Sequence, residues 1–206
     1  GLSGLYAKQG GAPANDMAER PRALFRDDAA LTRRYHGING GKWDHMMAQT
    51  HLGYTYWQQP PRNVMPAVSE VQVPRAGELG IAVEGSEQAW PDVQGVKLPA
   101  LDAFERKPRI VELFNRGGTP FKYAVRASEP WIVIDKPAGT VDKVQRIPVD
   151  ARWDEVPADA RSATLVITGP AGEARIEVPV HKPADAGPVR GFVETHGVVA
   201  IEAGHY

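Results

Sequence analysis

The chain has 206 residues, enough for one large or two small domains, and its 42% hydrophobic and 24% charged residues are those of an ordinary globular protein. A net charge of −1 supplies no basic field for nucleic acid or anionic lipid, and no apolar run is long enough to span a bilayer. Cysteine is absent, which excludes disulfides, thiolate catalysis and Cys-ligated zinc.

In chain order, Gly1 to Gly11 reads as the tail of a helix ended by Gly10-Gly11. Asn15 or Asp16 is placed to cap a second helix running to about Tyr35, with Pro21 near its first turn, where a missing N–H is tolerated. Leu24, Phe25, Ala29, Leu31 and Tyr35 give it an imperfect apolar face. Arg33 and Arg34 suit the last turn, where the helix dipole favours cations, and His36-Gly37 ends it.

The stretch from Gly40 to Pro66 holds two of the five Trp, two of the six Tyr, three of the four Met and two of the six His. Trp43, Met46, Met47, Thr50, Tyr54 and Trp57 fall at steps of three and four, which predicts a helix over about Gly41 to His51. Gly53 and the β-prone Tyr54–Trp57 argue against extending it, and Pro60-Pro61 would stop it. The tryptophans and methionines Trp43, Met46, Met47 and Trp57 are expected to be core, pinning the helical piece to a neighbouring domain.

After Pro66 the hydrophobic period becomes two. Phe121, Tyr123, Val125 and Ala127 alternate with polar or small residues, as do Ala174, Ile176, Val178 and Val180. Further strands are expected at Glu78–Val83, Ile110–Phe114, Trp131–Ile134, Val141–Val149 and Thr164–Thr168, separated by Gly/Pro turns. Gly85 to Lys107 reads as a loop. Seven short strands at this spacing predict an immunoglobulin-like antiparallel β-sandwich after a partial helical bundle, an α+β multidomain fragment. The boundaries expected are 1–66 helical, 67–108 a connecting segment with the first strand, 109–183 the sandwich, and 184–206 the start of a truncated β-domain.

The string GKWDHMMAQTHLGYTYWQQPPRNVMP closely resembles a segment of glycoside hydrolase family 115, the xylan α-glucuronidases. Asp44 stands where that family more often has Asn. LFNRGGTPFKYAVRASEPWIVI and the following strands look like the family's β-sandwich, and GFVETHGVVAIEAGHY like the opening of its last β-domain, with Gly204 in place of an acidic residue. The resemblance implies a parent enzyme that inverts configuration while removing 4-O-methyl-glucuronic acid from xylan, using one carboxylic acid and one carboxylate base. It places both in a barrel of the same polypeptide, outside these residues, so no catalytic residue is assigned here and no cofactor is expected. This chain would then buttress the barrel and contribute to a homodimer interface, meeting xylan only through the parent. A periplasmic or extracellular location follows from the same resemblance.

Lys42, His45, Tyr54 and Tyr56 are the candidates for touching xylan or its uronic carboxylate, since aromatic rings stack on sugars and cations pair with carboxylates. His45 and His51 lie six apart, on different faces of a helix, and make no metal site. On the sandwich, Trp90, Trp131 and Trp153 are the residues that could form a sugar-stacking platform; Trp131 opens an apolar run that argues burial, whereas Trp153, beside Asp154 and Glu155, is expected at the surface. A xylan-binding accessory module and a structural sandwich from an unrelated secreted protein are the competing readings.

Overall fold

A computed structural model describes residues 1–170, 172–182 and 199; the β-domain start expected at 184–206, with Gly204, lies outside the described residues. The chain divides into two compact units, 1–72 and 73 onward.

In the first unit, α1 (Leu2–Lys8) and α2 (Pro13–His36) pack around Tyr6, Ala14 and Ala18. The glycine stop is as expected: Gly10 takes φ +66° and the Gly11 N–H reaches the Tyr6 carbonyl at 2.8 Å. The start of α2 is not. It opens at Pro13, with Ala12 as N-cap and no side-chain cap, because proline at the first position removes a donor that would otherwise need one. Pro21 therefore sits inside the helix instead of in its first turn. Asn15 serves elsewhere. Its amide brackets Val71, donating from Nδ2 to the Val71 carbonyl (3.0 Å) and accepting the Val71 N–H (2.9 Å). Arg22 pairs with Glu70, and the Ser69 N–H meets Ser3 Oγ. These contacts fasten 69–71 to the helices, so the unit extends past the expected boundary at 66. Arg33, Arg34 and His36 occupy the last turn as expected, but Leu24 and Leu31 of the anticipated apolar face remain exposed.

No helix forms over 41–51. A 3₁₀ turn, Ile38–Gly41, gives way to irregular chain. Asn39, Gly40, Gly41 and His45 all take positive φ, a conformation that breaks the repeat an α-helix needs. Spacing at three and four reported an apolar set here, not a helix.

The second unit is a β-sandwich of two five-stranded sheets around one core. The strands are β1 (Leu79–Val83), β2 (Ala89–Trp90), β3 (Leu101–Asp102), β4 (Arg109–Asn115), β5 (Phe121–Ala127), β6 (Ile132–Ile134), β7 (Ala138–Val141), β8 (Val144–Ala151), β9 (Ser162–Gly169) and β10 (Gly172–His181). One sheet runs β2-β1-β4-β8-β6, the other β3-β10-β9-β5-β7. The expected alternation holds: Phe121, Tyr123 and Val125 on β5, and Ala174, Ile176, Val178 and Val180 on β10, all point into the core.

Three expectations change. Gly85 to Lys107 packs on the sandwich as expected, burying Val96, Leu98 and Leu101, but it is not loop throughout, since it contributes the short strands β2 and β3. These strands and β1 belong to the sheets, so 67–108 is no connecting segment. The sandwich is also not wholly antiparallel, since β3 runs parallel to β10. Finally, the strand expected over Val141–Val149 is broken at Asp142-Lys143: its first residue, Val141, ends β7, the rest belongs to β8, and the two lie in opposite sheets. The buried Asn115 secures that crossing. It donates to the carbonyls of Thr119 (2.9 Å) and Asp142 (3.0 Å) through Nδ2, while Oδ1 accepts from Gly117 (2.8 Å) and Glu78 (3.2 Å). On the opposite face of β4 from Leu113, the Phe114 ring lies flush on Gly80 of β1, where a Cβ would collide with it.

Asp102 ties the parallel strand down. Its Oδ1 accepts from the N–H groups of Phe104 (2.7 Å) and Glu105 (3.1 Å), and Oδ2 accepts from His181 Nδ1 (2.8 Å). Burial raises its pKa, but the bonds from His181 and the two amides outweigh burial and hold the carboxyl below the ordinary aspartate range. A depressed folded pKa adds stability above the unfolded value and loses it as pH falls through the folded one. Asp102→Asn is therefore expected to flatten the acid limb of the unfolding curve, measured by urea titration at successive pH values. Leu165→Ala, in the core of β9, is expected to cost about 2–5 kcal/mol in the same assay.

Candidate functional site

The segment 42–66 is a long irregular loop held on the helical unit by specific polar contacts. Tight turns carry its first part: the N–H groups of Asp44, Met46 and Ala48 bond the carbonyls three residues earlier. The Met47 N–H donates to His36 Nε2 at 3.2 Å, anchoring the loop to the end of α2. Further on, Asn63 Oδ1 accepts the N–H groups of both His51 (2.9 Å) and Leu52 (3.0 Å), and the Val64 N–H reaches the Leu52 carbonyl. Gly53 makes this closure possible. It takes φ +92°, and a Cβ there would stand 2.7 Å from that of Val64. The His51 ring completes the anchoring, with Nε2 against both Asp28 oxygens (2.9 and 3.1 Å) and Nδ1 against the Gln49 carbonyl (3.1 Å). The Asp28 bond, followed by the Gln49 carbonyl, raises the His51 pKa above the ordinary histidine value.

What this frame holds up is a ridge of large side chains in solvent. Trp57 is 85% exposed, Met46 64%, Tyr56 61% and Met47 52%. Trp43 and Tyr54 are also exposed, and of the predicted stripe only Thr50 is buried. The expectation that Trp43, Met46, Met47 and Trp57 form core is not met within this chain; without a helix, their spacing puts them on no common inward face. Two shallow hollows lie at the foot of the ridge. One, of about 490 Å³, is lined mainly by Leu31, Tyr35, Ile38 and Met47, with Asp28 and His51 at its side. The other, of about 400 Å³, includes Met46, Thr50, His51 and Tyr54.

The sequence-derived site residues separate into two groups. Lys42, His45, Tyr54 and Tyr56 all lie in the loop and are exposed. The Lys42 ammonium sits 5.1 Å from the centre of the Trp43 ring, His45 Nε2 is 3.6 Å from Asp44, the Tyr54 hydroxyl donates to the Thr50 carbonyl, and that of Tyr56 to Gln58. Trp153 stands apart, on the sandwich, and is buried with Val156 in its core. Its carbonyl accepts from Lys182 Nζ at 2.8 Å, and it offers no open face to a sugar. Trp131 is buried as expected and Trp90 is half-buried. Asp28, His36 and Asn63 were not singled out from the sequence. Each acts across a gap of 11 to 23 residues that no local pattern encodes. Among the described residues, no group of three His, Asp or Glu is placed to hold a metal ion, and no helix is long and apolar enough to cross a membrane.

No protein-family model matches the sequence, and no curated protein matches it. Solved structures are similar over part of the chain. The E. coli chaperone DraB aligns at 14% identity over 55% of this chain and 59% of its own, with a TM-score of 0.39. The PapD-like domain 7 of human CEP192 aligns at 12% identity over 60% of this chain and 99% of that domain, with a TM-score of 0.34. A Bacteroides ovatus GH5 xyloglucanase aligns at 12% identity over 49% of this chain and 19% of its own, with a TM-score of 0.31. The chain thus spans well under two thirds of DraB and of the xyloglucanase, and similarities at these scores say nothing about function.

The exposure of Trp43 fixes the outcome of its removal. A buried tryptophan would cost about 3–5 kcal/mol on truncation. Trp43 is 36% exposed, so Trp43→Ala is expected to cost less than that, about 1–3 kcal/mol, read as a shift in the thermal midpoint of the helical unit.

Proposed function

We propose that this chain is a non-catalytic part of a xylan α-glucuronidase of the family 115 type, and that its aromatic loop is a docking face for the catalytic barrel of the same polypeptide. The observation that carries this reading is the ridge itself. Six large apolar side chains stand in water on a loop whose backbone is fastened at His36, Asp28 and Asn63. A contiguous exposed apolar surface of this kind marks an interaction site, and here fixed contacts keep it from collapsing inward. The sequence of that same loop carries the family resemblance, so the resemblance and the exposed ridge fall on the same residues.

In this reading the acid and base lie in the barrel, and Lys42, His45, Tyr54 and Tyr56 border the substrate channel once the ridge is covered. The sandwich, whose immunoglobulin-like kinship belongs to the same proposal, acts as a spacer and as a candidate homodimer surface. A periplasmic or extracellular location goes with it. The competing reading, a xylan-binding module built on the sandwich, is weakened by the burial of Trp131 and Trp153, which leaves only the half-buried Trp90 of its three tryptophans within reach of solvent.

Two measurements test the proposal. Incubated with glucuronoxylan, this chain alone is expected to release no uronic acid; turnover above buffer would overturn the assignment of the chemistry to the barrel. In affinity electrophoresis through glucuronoxylan it is expected to migrate unretarded, and retardation would favour the binding module.

A further inference from the structure

The two histidines that anchor the loop make opposite demands on protons. Both ring nitrogens of His51 face acceptors, the Asp28 carboxylate and the Gln49 carbonyl, so the ring satisfies both only as the imidazolium. A neutral ring would turn a lone pair toward one of those oxygens at about 3 Å, where oxygen and nitrogen lone pairs repel. His36 is the reverse. Its Nε2 accepts the Met47 N–H, which requires that nitrogen to be bare. Protonation there would set one donor against another.

The surrounding charges do not remove this opposition. Asp28, Arg34 and Tyr35 of α2 line the hollow beside His51, and Tyr54 lies on its loop side; of these, only Asp28 bonds to the ring. Around His36 stand Asp44, 3.5 Å from Nδ1, and the rings of Tyr35 and His45 at 6.3 and 6.2 Å. Asp44 attracts a charged His36, but it acts at Nδ1 and cannot restore the acceptor lost at Nε2.

We infer that the 42–66 loop is a proton-gated latch, closed when His51 is charged and loosened when its ring loses that proton. The sign follows from the two acceptors that face the ring. The Asp28 contact raises the folded-state pKa of His51, so its contribution is full below the unfolded value and is lost as pH rises through the folded one. Opening releases the backbone that carries Met46, Met47 and Tyr54, which flank the anchor. The consequence for docking rests on the function proposed above; the latch itself does not.

An NMR titration of the whole chain from about pH 5 to about pH 9 reads the opening, since histidine changes charge in this range. The His51 and Leu52 amides are expected to move with the His51 ring on the alkaline side, at a midpoint above that of histidine in an unstructured peptide. Asp28→Asn should abolish that elevation. His36→Gln, whose amide oxygen can accept the Met47 N–H in place of the ring, should leave the alkaline opening unchanged. The indole signals of Trp131 and Trp153 report in every variant that the sandwich is intact. Loop amides that do not follow the His51 ring, or an Asp28→Asn chain in which His51 titrates as before, would overturn the latch. A working latch beside a ridge that stays open in the longer polypeptide would instead overturn the docking reading alone.

Discussion

A single amide oxygen, Asn63 Oδ1, closes the loop on which the functional argument depends. By accepting from two consecutive N–H groups, His51 and Leu52, it turns a 25-residue irregular segment into a bounded one with a fixed base. The contacts of His51 with Asp28 and of Met47 with His36 then join that base to α2. Without such fixed points, a chain bearing this many Trp, Tyr and Met residues would fold them inward, because exposing apolar surface costs about 25 cal/mol per Å². The geometry holds them outward.

That outward ridge also explains the unfinished look of the helical unit. Two helices of unequal length bury only a small core around Tyr6, Ala14 and Ala18, and Leu24 and Leu31 of the longer helix are left in solvent together with the ridge. The sandwich is self-sufficient by comparison. Its core draws on both sheets, its buried polar hub at Asn115 is fully bonded, and its parallel edge strand is clamped by Asp102. The two units have different physical characters: one has closed its own core, and the other leaves large apolar side chains in solvent.

The sequence was most legible where one period governed one buried face. On β5 and β10 the alternation of Phe121, Tyr123 and Val125, and of Ile176, Val178 and Val180, corresponds directly to burial. It was misleading where two features shared a pattern. Steps of three and four through Trp43, Met46 and Met47 mimic a helix, yet the left-handed backbone at Asn39, Gly40, Gly41 and His45 forbids one. Trp153 looked exposed because its sequence neighbours are acidic, but the chain turns after β8 and carries the ring back into the core. Short strands such as Ala89–Trp90 and Leu101–Asp102 have too few residues to show any period, and pairing with distant partners alone defines them. The anchors Asp28, His36 and Asn63 were invisible for the same reason: their role exists only after the chain has folded back.

Hydroxyl-radical footprinting of Met46, Met47 and Trp57 tests the central claim most directly, comparing this chain alone with the longer polypeptide that the proposal implies. The account predicts rapid modification of all three in the isolated chain and strong protection in the longer one, with Trp131 and Trp153 shielded in both. Equal, rapid modification in the two samples would contradict it, because a ridge that remains in water throughout docks against nothing.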